Sequence, residues 1–316
     1  MKKPILFIVL LFIVNSLQAQ KPTSSEIKIL AKKEDSLKSL AKNLIVDSLT
    51  AGRMRNDSLF VRTLVRSLQV KNSFYYPFDS VQGISNLYAP DSTFRIFSWS
   101  LSYDDFYSRQ RAAIQFRTPD GSLRLVPLTD FSEFTTAPTD SLRSKDNWIG
   151  AVYYNIIKTQ HYGKNYYTLF GYDDNSVRSS KKWIDVLSFD NRNMPVFGGN
   201  FSFEQDTAKR APQKRFYIEY KKEASALVNY DPDMNMILVD HLISESEDDD
   251  KPYTFIPDGD YEGFEWKNGK WLHINKVFDQ KLEDGQAPVP DPILDAKGNR
   301  NEEKLQERSE KNKTKT

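Results

Sequence analysis

The sequence predicts a mainly β domain, an antiparallel meander forming a sandwich or barrel-like fold behind one or two amphipathic helices. Three observations predict it. From Phe94 to Val277 apolar residues recur at alternate positions in short runs, the period of a pleated strand. Turn formers separate the runs: Pro119-Asp120-Gly121-Ser122, Asp173-Asp174-Asn175-Ser176, Asp190-Asn191-Arg192-Asn193, Asp231-Pro232-Asp233, Asp258-Gly259 and Asn268-Gly269. No helical period lies between the runs, whereas parallel strands need long crossovers. Aromatic residues, 13% of the chain, suit a pleated and half-buried surface.

The first element is a leader. Met1-Lys2-Lys3 is basic, Ile5 to Val14 is apolar, and Asn15 to Gln20 is a polar exit. The apolar run is shorter than the roughly 20 residues that span a bilayer, so residues 1–19 read as a signal peptide cleaved after Ala19. Export to the periplasm or the extracellular space follows. The chain has no cysteine, which excludes disulfides, thiolate metal sites and an acylated N-terminal cysteine, so a lipoprotein is not expected.

A helical segment spans 20–73. Thr23 and Glu26 stand at capping-box spacing, and Ile27, Leu30, Leu37, Leu40, Leu44 and Leu49 fall close to one stripe. Gly52 interrupts it. Asp57 is placed to cap a second helix whose apolar face is Val61, Leu64, Val65 and Leu68. The β domain follows over 74–279, with Asn268-Gly269 between Trp266 and Trp271 as its clearest hairpin. Strand ends at Tyr103-Asp104, Tyr172-Asp173 and Tyr230-Asp231 resemble one another, but their unequal spacing leaves an irregular β-propeller only as an alternative. Residues 280–316 are polar, charged and proline-containing, and read as a disordered tail.

The formal net charge is +1, and loss of Lys2 and Lys3 with the leader keeps the chain near neutrality. Nucleic-acid binding is not expected without clustered cations, nor is a transmembrane segment after cleavage.

Four segments together carry a resemblance: Tyr75-Tyr76-Pro77-Phe78-Asp79-Ser80, Phe94-Arg95-Ile96-Phe97-Ser98-Trp99, Lys181 to Phe189, and Pro195-Val196-Phe197-Gly198. With the Leu-Gln-Ala-Gln leader ending, the chain resembles a family of uncharacterised exported proteins of Bacteroidota-type bacteria. The resemblance covers roughly residues 74 to 278 and implies no activity.

Catalytic motifs are absent: there is no Gly-x-Ser-x-Gly and no His-Glu-x-x-His. Ser-x-x-Lys at Ser25, Ser39 and Ser179 fixes only two positions in a chain rich in both residues. Gly198-Gly199 reads as a bulge or sharp strand bend. His161, His241 and His273 lack metal-ligand spacing, and Asp231-x-Asp233-x-Asn235 lacks the glycine and glutamate that would complete a calcium loop. Asp258, Asp260 and Glu262 alternate beside Gly259, the pattern of a loose surface Ca²⁺ site. Alternation puts Asp185 on one face with Trp183, Leu187 and Phe189. It puts Asp240 with Met236, Leu238 and Leu242, beside His241 on the other face. Acids among apolar neighbours need partners or a task. Asp185, Asp240, His241, Trp183 and Trp271 are therefore the expected binding residues, the tryptophans offering flat surfaces. The expected function is a non-catalytic binding or structural module contacting an envelope protein or glycan. A glycan hydrolase using Asp185 and Asp240 is the alternative.

Overall fold

A computed structural model of the chain describes residues 21–278 except 105, 207–209 and 249. The expected leader, 1–19, and tail, 280–316, lie outside the described residues. By contacts the chain divides after Val277, and all the elements below belong to the first unit.

Among the described residues two helices come first, α1 (Ser24–Val46) and α2 (Thr50–Leu68). The capping box at α1 forms as expected: Glu26 N donates to Thr23 Oγ1 (3.3 Å) and Thr23 N to Glu26 Oε2 (2.6 Å). The chain breaks at Asp47–Leu49 rather than at Gly52. A Cβ at residue 52 would stand 2.0 Å from Asp47 Oδ2, so glycine leaves room for that carboxylate against the start of α2. Asp57 is not a cap. It lies inside α2, 3% exposed, and accepts from Trp99 Nε1 (3.0 Å) and Arg111 Nη2 (3.1 Å). Its charge is met by tertiary donors, which local sequence spacing does not encode.

Fifteen strands follow among the described residues: β1 (Ser85–Tyr88), β2 (Phe94–Ser102), β3 (Ser108–Phe116), β4 (Arg124–Thr129), β5 (Arg143–Ser144), β6 (Val152–His161), β7 (Lys164–Asp173), β8 (Ser179–Phe189), β9 (Pro195–Phe197), β10 (Phe201–Ser202), β11 (Phe216–Lys221), β12 (Val228–Asp231), β13 (Met236–Ser244), β14 (Phe255–Lys267) and β15 (Lys270–Ile274). They form three sheets, ordered β1-β2-β3-β4, β5-β9-β8-β7-β6 with β11 added to β8, and β10-β15-β14-β13-β12. Pairing is antiparallel throughout the named strands except for the two-residue match of β10 with β15. The fold is mainly β with two leading helices, as the sequence predicts, and no sheet among the described residues closes into a barrel. The layering is consistent with a sandwich.

Alternation decides the layers. In β2, Phe94 and Ile96 face a core shared with Tyr167, Leu169 and Leu187 of the second sheet. Phe97, Trp99 and Leu101 face Leu30, Leu37, Leu44, Phe60 and Leu64 of the helices. In β8, Trp183 and Leu187 join the first of these cores, while Ile184 and Val186 join a third with Ile237, Val239, Phe264 and Trp271. The order is helices, first sheet, second sheet, third sheet. Strands β2 and β8 are buried along most of their length because both of their faces are covered.

Gly198-Gly199 is the expected strand bend. It separates β9 from β10, with Gly198 at φ +118° and a Cβ at residue 199 placed 2.6 Å from Val186. Asn268 (φ 52°) and Gly269 (φ 78°) close the β14–β15 hairpin between the paired Lys267 and Lys270, as a two-residue type I′ turn requires. Strands β1 and β5 escape the sequence reading: both are short, and neither alternates.

Arg95, 0% exposed, holds the layer between helices and first sheet. Its guanidinium donates to Gln115 Oε1 (2.8 Å), Tyr76 O (2.8 Å), Tyr88 Oη (2.7 Å) and Ser73 O (2.9 Å). It also lies 4.7 Å from the Phe97 ring centre. Burial pulls its pKa down to about 10, against the compensating Tyr88 hydroxyl. Arg95→Met removes the donors and leaves these acceptors buried, so the variant is expected to lose about 3 kcal/mol of stability, readable as a lowered urea midpoint with unchanged slope.

Candidate functional site

A cleft of about 240 Å³ opens where the start of β3 and the segment after β4 meet the ends of β7 and β8. Asp130 organises one wall. Its Oδ1 accepts from Ser132 N (3.0 Å), Ser132 Oγ (2.6 Å) and Gly150 N (3.2 Å), and its Oδ2 from Gln110 N (2.9 Å). Glycine is required at 150, where a Cβ would stand 2.6 Å from Asp130 Cγ. These bonds fix a 3₁₀ turn over Ser132–Phe134.

Asp173 forms the opposite wall, at the end of β7. Its Oδ1 accepts from Asn175 N (3.0 Å) and Gln110 Nε2 (3.1 Å). Gln110, 4% exposed, thus touches both carboxylates, one through its backbone and one through its side chain. Burial raises the Asp173 carboxyl above the ordinary aspartate range. The Asn175 N–H and Lys181 oppose the shift, and the charge of Asp130 adds to it.

Two other lining side chains carry buried polar atoms without a hydrogen-bond partner, Gln110 Oε1 and Trp183 Nε1. Such atoms are costly in a folded protein unless something satisfies them. Trp183, 5% exposed, also stacks on Tyr217 at 4.6 Å between ring centres. The charged groups here are mostly engaged with the protein. Arg109 Nη2 donates to Asp130 O (3.0 Å), Lys181 pairs with Glu219 (3.3 Å), and Tyr107 Oη donates to Glu133 Oε2 (2.8 Å). One acceptor, one donor and an indole remain for a ligand.

Trp183 is therefore placed in the cleft, but the other residues expected from sequence lie elsewhere. Asp185 does share a face with Trp183, as alternation requires. It is 3% exposed and accepts from Arg215 Nε (3.0 Å) and Val186 N (2.8 Å). Arg215, wholly buried, also donates to the carbonyls of Pro138, Ser141 and Phe197. The pair ties the segment before β5 to the second sheet and offers nothing to solvent. Asp240 accepts from Leu227 N (2.6 Å) and lines a separate groove of about 320 Å³, which Asp185 does not line. Trp271 is a core residue, 0% exposed, its Nε1 donating to Thr168 Oγ1 (3.0 Å).

His241, Asp258 and Glu262 come together with His273 in a chain of carboxylates and imidazoles. Asp258 Oδ2 lies 2.8 Å from His241 Nδ1, and His241 Nε2 lies 4.0 Å from Glu262 Oε1. Glu262 Oε2 lies 2.8 Å from His273 Nε2, and His273 Nδ1 lies 2.6 Å from Asp206 Oδ1, with Arg210 closing the row on Asp206 (2.7 Å). Asp260 stands outside it, accepting from Lys276 (3.1 Å). Asp258, Asp260 and Glu262 do not converge, because the ladder slips there. Asp240 pairs with Tyr261 and Leu242 with Pro257, so three residues of β14 oppose His241 alone. Among the described residues no three such side chains are grouped to hold a metal ion, and no helix is long and apolar enough to cross a membrane.

Sequence reasoning missed Asp130 and read Asp173 only as the start of a turn. The available signal was Asp-x-Ser and Asp-x-Asn at strand ends, where a carboxylate folds back on the backbone two residues on. Comparison of the chain with protein-family models, with curated proteins and with solved structures finds no match.

Asp173→Asn keeps the Oδ1 acceptor for Gln110 and Asn175 and removes a buried charge. Because the folded carboxyl titrates above its ordinary value of 3.8, the ionised group opposes folding at neutral pH. That penalty fades as the pH falls through the folded pKa. The variant is expected to melt higher than the wild type at about pH 8 and to match it near pH 4, a convergence that calorimetric scans across this range would show.

Proposed function

We propose that the chain is a non-catalytic binding module of the cell envelope that holds a hydroxyl-bearing ligand in the Asp130–Asp173 cleft. The observation that carries this reading is the pair of unpartnered buried groups, Gln110 Oε1 and Trp183 Nε1, lining one small concave site. A hydroxyl both donates and accepts, so one such group can meet an orphan acceptor and an orphan donor. Polar groups placed beside an aromatic wall are the usual composition of a small-molecule site. The envelope placement rests on the leader-like residues 1–19 and on the resemblance to exported proteins.

The alternative, a hydrolase built on Asp185 and Asp240, gains no support. Asp185 is 3% exposed and bound by Arg215, and Asp240 lines a groove that Asp185 does not reach, so the two carboxyls do not share an open site of the kind hydrolysis uses.

Titration calorimetry of the mature chain with glucose, N-acetylglucosamine and glycerol, repeated with Trp183→Phe and Gln110→Ala, tests the reading. Saturable binding of a sugar by the wild type is expected, weakened roughly tenfold or more in each variant with its fold intact by circular dichroism. Absence of binding to every probe, or equal binding by all three proteins, overturns it.

A further inference from the structure

Building on the proposed binding function, we infer that the ligand of the Asp130–Asp173 cleft is a hydroxylated primary amine, the class to which free amino sugars belong, with its ammonium group set against Asp173.

Other buried acids in this fold are met by cations. Asp57 pairs with Arg111 (3.1 Å), Asp185 with Arg215 (3.0 Å) and Asp206 with Arg210 (2.7 Å). Among the described residues no cation pairs with the carboxylate of Asp130, which is buried, or of Asp173, which is partly so. The donors that reach them are neutral: Ser132, Gly150 and Gln110 at Asp130, Asn175 and Gln110 at Asp173. Two bases in the cleft wall are engaged elsewhere. Arg109 donates to the main-chain oxygen of Asp130 (3.0 Å), and Lys181 pairs with Glu219 (3.3 Å). Neutral donors stabilise a carboxylate without cancelling its charge, and an uncancelled charge is costly where water is scarce.

Acidity alone does not make a site; an unpartnered buried amide beside it does. Gln110 is 4% exposed, and its Nε2 donates to Asp173 Oδ1 (3.1 Å). Its Oε1, on the same amide, therefore stands near that carboxylate and has no donor of its own. Turning the amide over would set Oε1 against the ionised carboxylate, acceptor against acceptor, so the charge of Asp173 holds the orphan where it is. Neighbouring acceptors call for a group with several N–H donors, and an ammonium carries three. Trp183 Nε1, the orphan donor, needs an oxygen instead, which the ligand's hydroxyl supplies. Gln110 Oε1 has two lone pairs and can take the hydroxyl and the ammonium together.

A proton is the other means of cancelling this charge. Burial lifts the Asp173 carboxyl above the ordinary aspartate range, and the charge of Asp130 adds to the shift. Where the carboxyl is ionised, a bound ammonium takes the proton's place.

Calorimetric titration of the mature chain with glucosamine, N-acetylglucosamine, glucose and methylamine, at about pH 6.5 where an amine is protonated, separates the amine from the hydroxyl. Glucosamine is expected to bind at least tenfold tighter than glucose, and N-acetylglucosamine, whose nitrogen is uncharged, no tighter than glucose. Asp173→Asn, which keeps the acceptor and removes the charge, should cost glucosamine about tenfold and leave glucose unchanged. Equal binding of glucosamine and glucose by the wild type, or undiminished glucosamine binding by Asp173→Asn, overturns the amine and leaves the hydroxyl reading standing. Methylamine binding as tightly as glucosamine, with no binding of glucose, overturns the hydroxyl and keeps the charge assignment. Failure of all four probes to bind overturns both.

Discussion

The fold depends on the second sheet having no free face. The Trp183–Leu187 face of β8 packs against the first sheet and the Ile184–Val186 face against the third. A strand in that position can carry polar groups only where each finds a partner. Asp185 meets Arg215, Thr168 meets the indole of Trp271, and Ser180 meets the hydroxyl of Tyr172. The first sheet is constrained in the same way by the helices, and its buried cation, Arg95, is satisfied by carbonyls, a hydroxyl and aromatic faces rather than by a carboxylate.

This constraint explains how much of the structure was legible beforehand. Faces were readable because alternation is a local property of the backbone. Trp183, Asp185, Leu187 and Phe189 lie on one side of β8 for the reason the spacing gives. The hairpin at Asn268-Gly269 was readable because its positive φ angles favour those residues. Partners were not readable. Nothing near Asp185 in sequence announces Arg215, thirty residues on, and nothing near Asp57 announces Trp99 and Arg111. Asp57 looked like a cap because an acid at a helix start is common; tertiary donors gave it another task. Of the alternating acids, Asp258 and Glu262 both come to His241 while Asp260 turns to Lys276, beside a bulge where counting by twos no longer tells which way a side chain points.

The candidate site was harder still to read. It draws Gln110 from β3, Asp130 from beyond β4, Asp173 from β7 and Trp183 from β8, so no window of sequence contains it. Of these the sequence marks only Trp183 as a binding residue, for its ring rather than for its unpaired indole nitrogen. Asp130 and Asp173 combine local turn-forming bonds with long-range proximity through Gln110. The first half of that combination is visible in sequence, whereas the second exists only once two sheets are stacked.

One edge of β8 is shared end to end by two short strands, β11 along residues 179–184 and β9 along 187–189. The chain joining those strands leaves for the third sheet, where β10 pairs with β15, before it returns. That excursion is a stitch passing through two fabrics. Neither layer can be peeled away without pulling the thread from the other, so the two sheets are expected to come apart as one event, and a nick between Phe197 and Phe216 would loosen both seams at once.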